Sequence, residues 1–145
     1  MICDKIEECS EIFDKPLDNL VDPKGGKSKF SIKNINRNSY IKIDFENCVY
    51  EDRQNDTKCD YGLIIDDEVY FVELKGSDVS KGYKQLESTI RETLRCFDGK
   101  RIKARMVVTK FSRPDIAKKT TEYKNLVRLT NNDVEVKQNV LTQII

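Results

Sequence analysis

The most informative part of the sequence is KCDYGLIIDDEVYFVELKG, from Lys58 to Gly76. Two apolar runs flank the polar Asp66–Asp67–Glu68, and this pattern predicts a β-hairpin with strands near Asp60 to Ile65 and Val69 to Lys75. An acid opens the hairpin, and an acid, one apolar residue and a base close it. Because the start of the first strand lies beside the end of the second in an antiparallel hairpin, these charged side chains are expected to meet.

The charged residues expected to meet are Asp60, Glu73 and Lys75. Side chains alternate faces along a strand, so Glu73 and Lys75 share one face while Leu74 points to the other. Two carboxylates held together repel each other, and burial raises that cost. Mg²⁺ removes the repulsion, since it commonly binds one or two protein carboxylates. A lysine beside it can hold the attacking water and stabilise developing negative charge, and this combination suits phosphodiester hydrolysis.

Histidine is absent from the 145 residues, which excludes every mechanism that needs an imidazole of this chain. The chain has 26 basic and 25 acidic residues and a net charge of +1, so no strong basic field indicates a polyanion partner. One local basic group contains Lys24, Lys27, Lys29, Lys33 and Arg37, and another contains Lys100, Arg101, Lys103, Arg105, Lys110 and Arg113. Each group suits phosphate contacts or, alternatively, a solvated surface.

The length predicts a single domain over residues 1–145. The sequence has no run of about 18 apolar residues, so no membrane-spanning helix is predicted. The N-terminal MICDKIEECSEIF is acidic and does not have the pattern of a secretory signal. The sequence therefore predicts a cytoplasmic protein in which Cys3, Cys9, Cys48, Cys59 and Cys96 are reduced thiols.

Outside the hairpin, the apolar spacing predicts further helices and strands. Ile2, Ile6, Cys9 and Phe13 predict a helix over Ile2 to Phe13, and Tyr83, Leu86, Ile90, Leu94 and Phe97 predict another over Ser80 to Phe97. Strands are predicted around Phe30–Ile35 and Ile41–Phe45, in the densely apolar ARMVVTKF (104–111), and as a final pair in NLVRL (125–129) and DVEVKQNV (133–140). A short helix is predicted near Pro114 to Ala117.

The GGKS of residues 25–28 resembles the end of a phosphate-binding loop. That motif requires a glycine five positions before Gly26, where this chain has Val21, and a helix after it. The residues that follow alternate like strands, so the segment is predicted to be an ordinary loop.

Asp60, a gap, and Glu73–Leu74–Lys75 at the end of an apolar strand followed by a helix resemble the PD-(D/E)XK nuclease superfamily. This superfamily includes many restriction enzymes, Holliday-junction resolvases and exonucleases. The resemblance covers about Ile2 to Thr109 and implies an α/β fold with a restriction-endonuclease-like α-β-β-β-α-β core, in which helices flank a mixed sheet. This chain adds a strand on the N-terminal side and a short C-terminal β tail. It also has Cys59 where the motif has proline.

The resemblance implies a role for each matching residue. Asp60, Glu73 and the Leu74 backbone carbonyl would bind Mg²⁺, for which Mn²⁺ could substitute. Lys75 would orient the nucleophile, and Gln85 on the following helix would face the site. An acid of the first helix often completes such sites, and either Glu8 or Glu11 could do so here.

The expected function is a small nuclease, with DNA favoured over RNA as its substrate. Specificity would then come from DNA shape, a homodimer or a recruiting protein. Two alternatives remain open: a non-catalytic module that binds nucleic acid or protein on a degenerate nuclease fold, and an unrelated α/β interaction protein. In the second, the side chains of Asp60, Glu73 and Lys75 would not converge. A purely structural interpretation of the Glu73–Lys75 pair is that it lies on an exposed edge strand.

Overall fold

The protein was analysed as a computed structural model, which describes residues 1–52, 58–75, 77–110 and 118–145. The helices are α1 (Ile2–Glu8), α2 (Val79–Thr93) and α3 (Thr121–Leu129), and the strands are β1 (Ser10–Phe13), β2 (Leu17–Val21), β3 (Lys29–Lys33), β4 (Tyr40–Asp44), β5 (Tyr61–Ile65), β6 (Glu68–Lys75), β7 (Arg101–Val108), β8 (Val134–Gln138) and β9 (Val140–Ile144). A π-helical turn, Phe45–Val49, follows β4, and a 3₁₀ turn, Leu94–Phe97, follows α2.

The strands form two sheets, and the larger is mixed as expected. It has six strands in the order β1-β4-β5-β6-β7-β8. The first four are antiparallel to their neighbours, whereas β6, β7 and β8 run parallel. The smaller sheet has the order β2-β3-β9, with β2 antiparallel and β9 parallel to β3. The α/β class and the mixed sheet are therefore confirmed.

The two faces of the six-stranded sheet are covered by different layers. On one face, Phe71 and its neighbours belong to an apolar core with Tyr83 and Ile90 of α2. On the other face, Val72 belongs to a second core with Phe30 and Leu141 of the small sheet. Because both faces of β6 and β7 are covered, most side chains of these two strands are buried.

The hairpin predicted over residues 60–75 is confirmed, with β5 and β6 as its strands. Tyr61 pairs with Val72 and Ile65 pairs with Glu68, which leaves a two-residue turn. Asp66 in that turn has a φ of 53°, a left-handed conformation that aspartate tolerates better than most residues. The register brings the start of β5 beside the end of β6.

The second predicted helix is also confirmed, although the first is shorter than predicted. In the region of Ser80 to Phe97, α2 and its 3₁₀ turn bury Tyr83, Leu86, Ile90 and Phe97, but Leu94 is exposed where the helix tightens. The helix expected over Ile2 to Phe13 ends at Glu8, and Ser10–Phe13 is β1. The backbone of Ser10–Phe13 pairs with β4, and this tertiary pairing outweighs the helical spacing of the apolar residues.

The chain after residue 118 corrects a second prediction. NLVRL lies in α3 and not in a strand, and the Thr120 hydroxyl caps that helix by accepting the Tyr123 N–H at 3.2 Å. Residues 133–140 do contain a strand, β8, and Asn139, with a φ of 68°, turns the chain into β9. The helix predicted near Pro114 to Ala117 lies outside the described residues.

The prediction of five reduced thiols is wrong, because four of the five cysteines form disulfides. Disulfides join Cys3 to Cys96 and Cys9 to Cys48, and Cys59 is a buried free cysteine. Disulfides are typical of oxidising compartments, so the thiols no longer support the cytoplasmic location, which stays a prediction. Within the described ranges, no helix is long and apolar enough to span a membrane.

Candidate active site

The backbone of the hairpin brings Asp60 and Glu73 together. The Asp60 N–H donates to the Val72 carbonyl at 3.2 Å, which continues the ladder and sets Asp60 opposite Glu73. The Asp60 Oδ2 accepts the Leu74 N–H at 2.8 Å. Both side chains are almost fully buried, with 4% of Asp60 and 2% of Glu73 exposed.

Lys75 lies on the same face as Glu73. Its Nζ is 3.9 Å from the Glu73 Oε2, and 17% of its side chain is exposed. The alternation of β6 therefore places an ammonium beside a buried carboxylate, as the sequence predicts. The Lys75 carbonyl accepts the Ser28 hydroxyl at 2.7 Å, which ties the end of β6 to the loop before β3.

These side chains line one small cavity of about 150 Å³. Its lining residues are Asp22, Lys24, Glu46, Asp60, Glu73, Leu74, Lys75 and Gln85. The predicted residues Asp60, Glu73, Leu74, Lys75 and Gln85 are therefore brought together. If Glu73 and Lys75 were only a surface pair on an exposed edge strand, they would not be expected to line a cavity together with Asp60 and Gln85.

Gln85 reaches the cavity because α2 packs closely on the sheet. The Asp78 Oδ1 caps this helix by accepting the Lys81 N–H at 3.1 Å. At Gly82, a Cβ atom would contact the Met106 thioether and lie 3.3 Å from the Lys75 Cγ, so the close approach requires glycine. Gln85 donates from Nε2 to the Lys58 carbonyl at 3.3 Å. Its Oε1 is buried without a hydrogen-bond partner among the described residues.

Two lining residues, Glu46 and Asp22, were missed by the sequence analysis, which named Lys24 only as a member of the first basic group. Glu46 lies in the π-helical turn after β4, and its N–H donates to the Asp60 carbonyl at 3.3 Å. Its carboxyl also hydrogen-bonds to that of Asp60, and its Oε1 is 3.4 Å from the Lys24 Nζ. A signal for Glu46 existed, because the end of β4 must lie beside the start of β5 in a meander. Asp22 and Lys24 lie in an irregular loop, whose path no periodicity reveals.

The acids expected from the first helix do not reach the cavity. Glu8 ends α1 and Glu11 lies in β1, and both side chains are exposed. Neither is among the lining residues. The early end of α1 explains this outcome, because Glu11 is paired opposite Lys42 in an edge strand.

Burial dominates the electrostatics of the cavity. It raises the pKa of Asp60, and the hydrogen bond that Asp60 donates to Glu46 and the charge of Glu73 raise this pKa further. Burial also raises the pKa of Glu73, against the opposing effect of the Lys75 charge. The hydrogen bond with Asp60 lowers the pKa of Glu46, and Lys24 acts in the same direction. Asp60 therefore keeps a proton that it shares with the ionised Glu46.

The carboxyl oxygens that line the cavity are suitable ligands for a hard divalent cation. Glu73 Oε1 is buried and has no hydrogen-bond partner among the residues described. The available donors are oxygens, which Mg²⁺ and Mn²⁺ prefer. Within the described part of the chain, no group of three or more His, Cys, Asp or Glu side chains is arranged to hold a metal. Mg²⁺ is compatible with this, because it usually keeps several waters and binds only one or two carboxylates.

The two basic groups differ in their relation to the cavity. From the first, Lys24 lines it. In the second, Arg101, Lys103 and Arg105 form ion pairs with acids near the start of β6 and β8. These residues lie toward the opposite end of the parallel strands from Lys75. The group therefore does not flank the cavity as a whole, and Arg113 lies outside the described residues.

Comparisons of the chain with protein-family models, with curated proteins and with solved structures found no match. The resemblance to the PD-(D/E)XK superfamily therefore stays a prediction from the sequence.

Proposed function

We propose that this protein is a Mg²⁺-dependent nuclease of the PD-(D/E)XK type, with DNA favoured over RNA as its substrate. The observation that carries the proposal is the convergence of two buried carboxylates, Asp60 and Glu73, and the Lys75 ammonium in one cavity at the end of a hairpin. Burying two acids beside each other is unfavourable for the protein alone. A cation that binds both would offset this cost.

The order of the central elements supports the same proposal. After α1, the strands β4, β5 and β6 form an antiparallel meander, α2 covers its face, and β7 returns parallel to β6. With β1, β2 and β3 set aside, this order resembles the α-β-β-β-α-β order of a restriction-endonuclease-like core. On this interpretation, β1, the small sheet and the elements after β7 are additions to the core.

Each residue of the cavity has a chemical role in the proposed hydrolysis. Asp60, Glu73 and the Leu74 carbonyl would hold Mg²⁺, or Mn²⁺ in its place. A bound cation of this kind lowers the pKa of a water ligand and neutralises charge on a phosphate. Lys75 would hold the attacking water and stabilise the negative charge that develops on the phosphate. Gln85, whose Oε1 has no hydrogen-bond partner in the described part of the chain, would accept a hydrogen bond from that water.

Cleavage assays on defined nucleic acids test the proposal. Plasmid, single-stranded DNA, branched DNA and RNA are incubated with the protein in Mg²⁺, Mn²⁺ or EDTA. We expect cleavage that requires the metal and that Asp60→Ala or Glu73→Ala abolishes. Lys75→Ala should lower the rate by about 10²–10³-fold, as the loss of one such electrostatic contact typically does, and Gln85→Ala should lower it less.

The exposed acids provide matched controls. Glu8→Ala and Glu11→Ala each remove a carboxylate outside the cavity, so both should cut at the wild-type rate. A Lys75→Ala variant that cuts as fast as wild type would contradict the mechanism. Wild-type protein that binds duplex DNA but cuts nothing in any metal would favour the alternative, a binding module on a nuclease-like fold. A homodimer or a recruiting protein as the source of specificity is part of the same proposal.

A further inference from the structure

A loop of the small sheet, residues 22–28, forms one wall of the cavity. It connects β2 to β3, and hydrogen bonds join this part of the chain to both strands of the β5–β6 hairpin. The Ser28 hydroxyl donates to the Lys75 carbonyl at 2.7 Å. Just before the loop, the Val21 carbonyl accepts the Tyr61 hydroxyl at 3.0 Å. The small sheet thus contributes directly to the site that the large sheet builds.

The local geometry of the loop gives it a defined shape. The Asp22 Oδ1 accepts the Lys24 N–H at 2.9 Å, and the Asp22 carbonyl accepts the Gly25 N–H at 3.0 Å. Gly25 has a φ of +85°, and a Cβ atom on Gly26 would contact the Asp22 carboxylate. Both positions therefore favour glycine, for different reasons. The turn that results carries Lys24 to the rim of the cavity.

Lys24 lies among acidic groups. Four carboxyl groups line the cavity with the ammonium groups of Lys24 and Lys75, and they belong to Asp22, Glu46, Asp60 and Glu73. Of these, Asp60 keeps its proton and Glu46 is ionised. The Lys24 Nζ is 3.4 Å from the Glu46 Oε1, and 76% of the lysine side chain is exposed. An ion pair this exposed contributes little to the stability of a protein, so exchanging Glu46 for another anion costs little.

We infer that Lys24 binds a backbone phosphate of the nucleic acid strand beside the bond that is cut, and exchanges its ion pair with Glu46 for that phosphate. The inference rests on the proposed function. It assigns the partly buried Lys75 to the reacting phosphate and the exposed Lys24 to the neighbouring phosphate. Lys24 is then a binding residue whose removal weakens substrate affinity, while the chemical step remains.

Binding is measured separately from cutting to test this role. A fluorescent duplex DNA oligonucleotide is titrated with protein in EDTA over a series of salt concentrations. Lys24→Gln should weaken binding several-fold and reduce the slope of log K against log salt by about 1, as loss of one phosphate contact does. Lys27→Gln is the matched control, because Lys27 is exposed in the same loop but does not line the cavity. Thermal melting checks that both variants fold.

A double-mutant cycle with Glu46 separates phosphate binding from a structural role. In a Glu46→Gln background the competing anion is absent, so Lys24→Gln should weaken DNA binding at least as much as in wild type. If Lys24→Gln has no effect in that background, Lys24 acts only by holding Glu46 and the inference is wrong. Equal effects of Lys24→Gln and Lys27→Gln would also overturn it, since the loop would then act by charge alone.

The cleavage reaction distinguishes this inference from the proposed function. Where wild-type protein cuts, Lys24→Gln should raise KM several-fold with little change in kcat, in contrast to Lys75→Ala. A Lys24→Gln variant with wild-type KM and affinity overturns the inference and leaves the nuclease proposal intact. Wild-type protein that neither binds nor cuts any nucleic acid overturns both.

Discussion

Asp60 and Glu73 link protein stability to pH. Both pKa values are raised, chiefly by burial, so each carboxyl binds its proton more tightly in the folded than in the unfolded protein. Their contribution to stability is then fully present below the ordinary carboxyl pKa, near about 4, and is lost as pH rises toward the raised values. In the absence of a divalent cation, the site therefore destabilises the protein at neutral and alkaline pH.

We predict that Asp60→Asn stabilises the protein in metal-free buffer. Asparagine keeps an oxygen that can accept the Leu74 N–H and an amide that can donate to Glu46, but it cannot ionise. At pH 8 its free energy of unfolding should exceed that of wild type by at least about 1.4 kcal/mol, which corresponds to one unit of pKa. The difference should shrink toward pH 4. Urea unfolding across this pH range measures both effects.

Glu7→Gln is the control for this comparison, because Glu7 is an exposed acid on α1. It should change neither the stability nor its pH dependence appreciably. If Asp60→Asn instead melts well below wild type, the Asp60 carboxylate is a structural acceptor for the Leu74 N–H. The interpretation of Asp60 as a group retained for function would then be wrong.

The residues that the sequence could predict are those governed by strand alternation. Asp60, Glu73 and Lys75 follow from the hairpin register, and Gln85 follows from its place on the next helix. Lys24 and Asp22 could not be found in this way, because they enter the cavity through a loop of the second sheet. That sheet requires β9, which lies far along the chain from β3.

At the scale of elements, the two disulfides hold α1 against the rest of the molecule. One joins Cys3 at the start of α1 to Cys96 in the 3₁₀ turn after α2. The other joins Cys9, just after α1, to Cys48 in the π-helical turn that carries Glu46. Helix α1 has only 7 residues, too short to be stable alone, so these bonds supply constraint that local propensity does not.

We predict that replacing Cys9 and Cys48 by serine lowers the free energy of unfolding by about 2–4 kcal/mol. The paired control is the removal of Cys3 and Cys96, whose sequence separation is 93 rather than 39. Because this disulfide closes the longer loop, replacing Cys3 and Cys96 should lower the free energy of unfolding more than replacing Cys9 and Cys48 does, by less than about 1 kcal/mol. Guanidinium unfolding of each double variant measures the two losses.

A thiol count on the unfolded wild-type protein checks that both bonds exist. One thiol, from Cys59, should react without reductant and five after reduction. Five reactive thiols without reductant would restore the original prediction of reduced cysteines.

Elements with a strong local pattern were predictable, whereas those determined by distant pairing were not. The β5–β6 hairpin and α2 have clear periodicity, and both formed as predicted. Ser10–Phe13 continues a helical spacing, yet its partner in the ladder is β4. In NLVRL the apolar residues are compatible with either a helix or a strand, and the cap at Thr120 favours the helix.

At the level of the whole molecule, the two sheets share the second apolar core. Leu141 of β9 pairs with Phe30 of β3 and is 2% exposed. Both belong to the same buried cluster as Leu63 and Val72 of the hairpin that carries the site. Loss of packing in the small sheet should therefore destabilise the hairpin as well.

We predict that Leu141→Ala lowers the free energy of unfolding by about 2–5 kcal/mol and the melting temperature by roughly 4–20 °C, because it leaves a cavity in this core. Its neighbour Val140 is 43% exposed, so Val140→Ala is the control and should be close to neutral. Far-UV circular dichroism follows the backbone, and near-UV circular dichroism follows the tyrosines, including Tyr70 in this core and Tyr83 in the other. Both signals should shift together in one transition. Separate transitions would show instead that the small sheet unfolds independently of the sheet that carries the site.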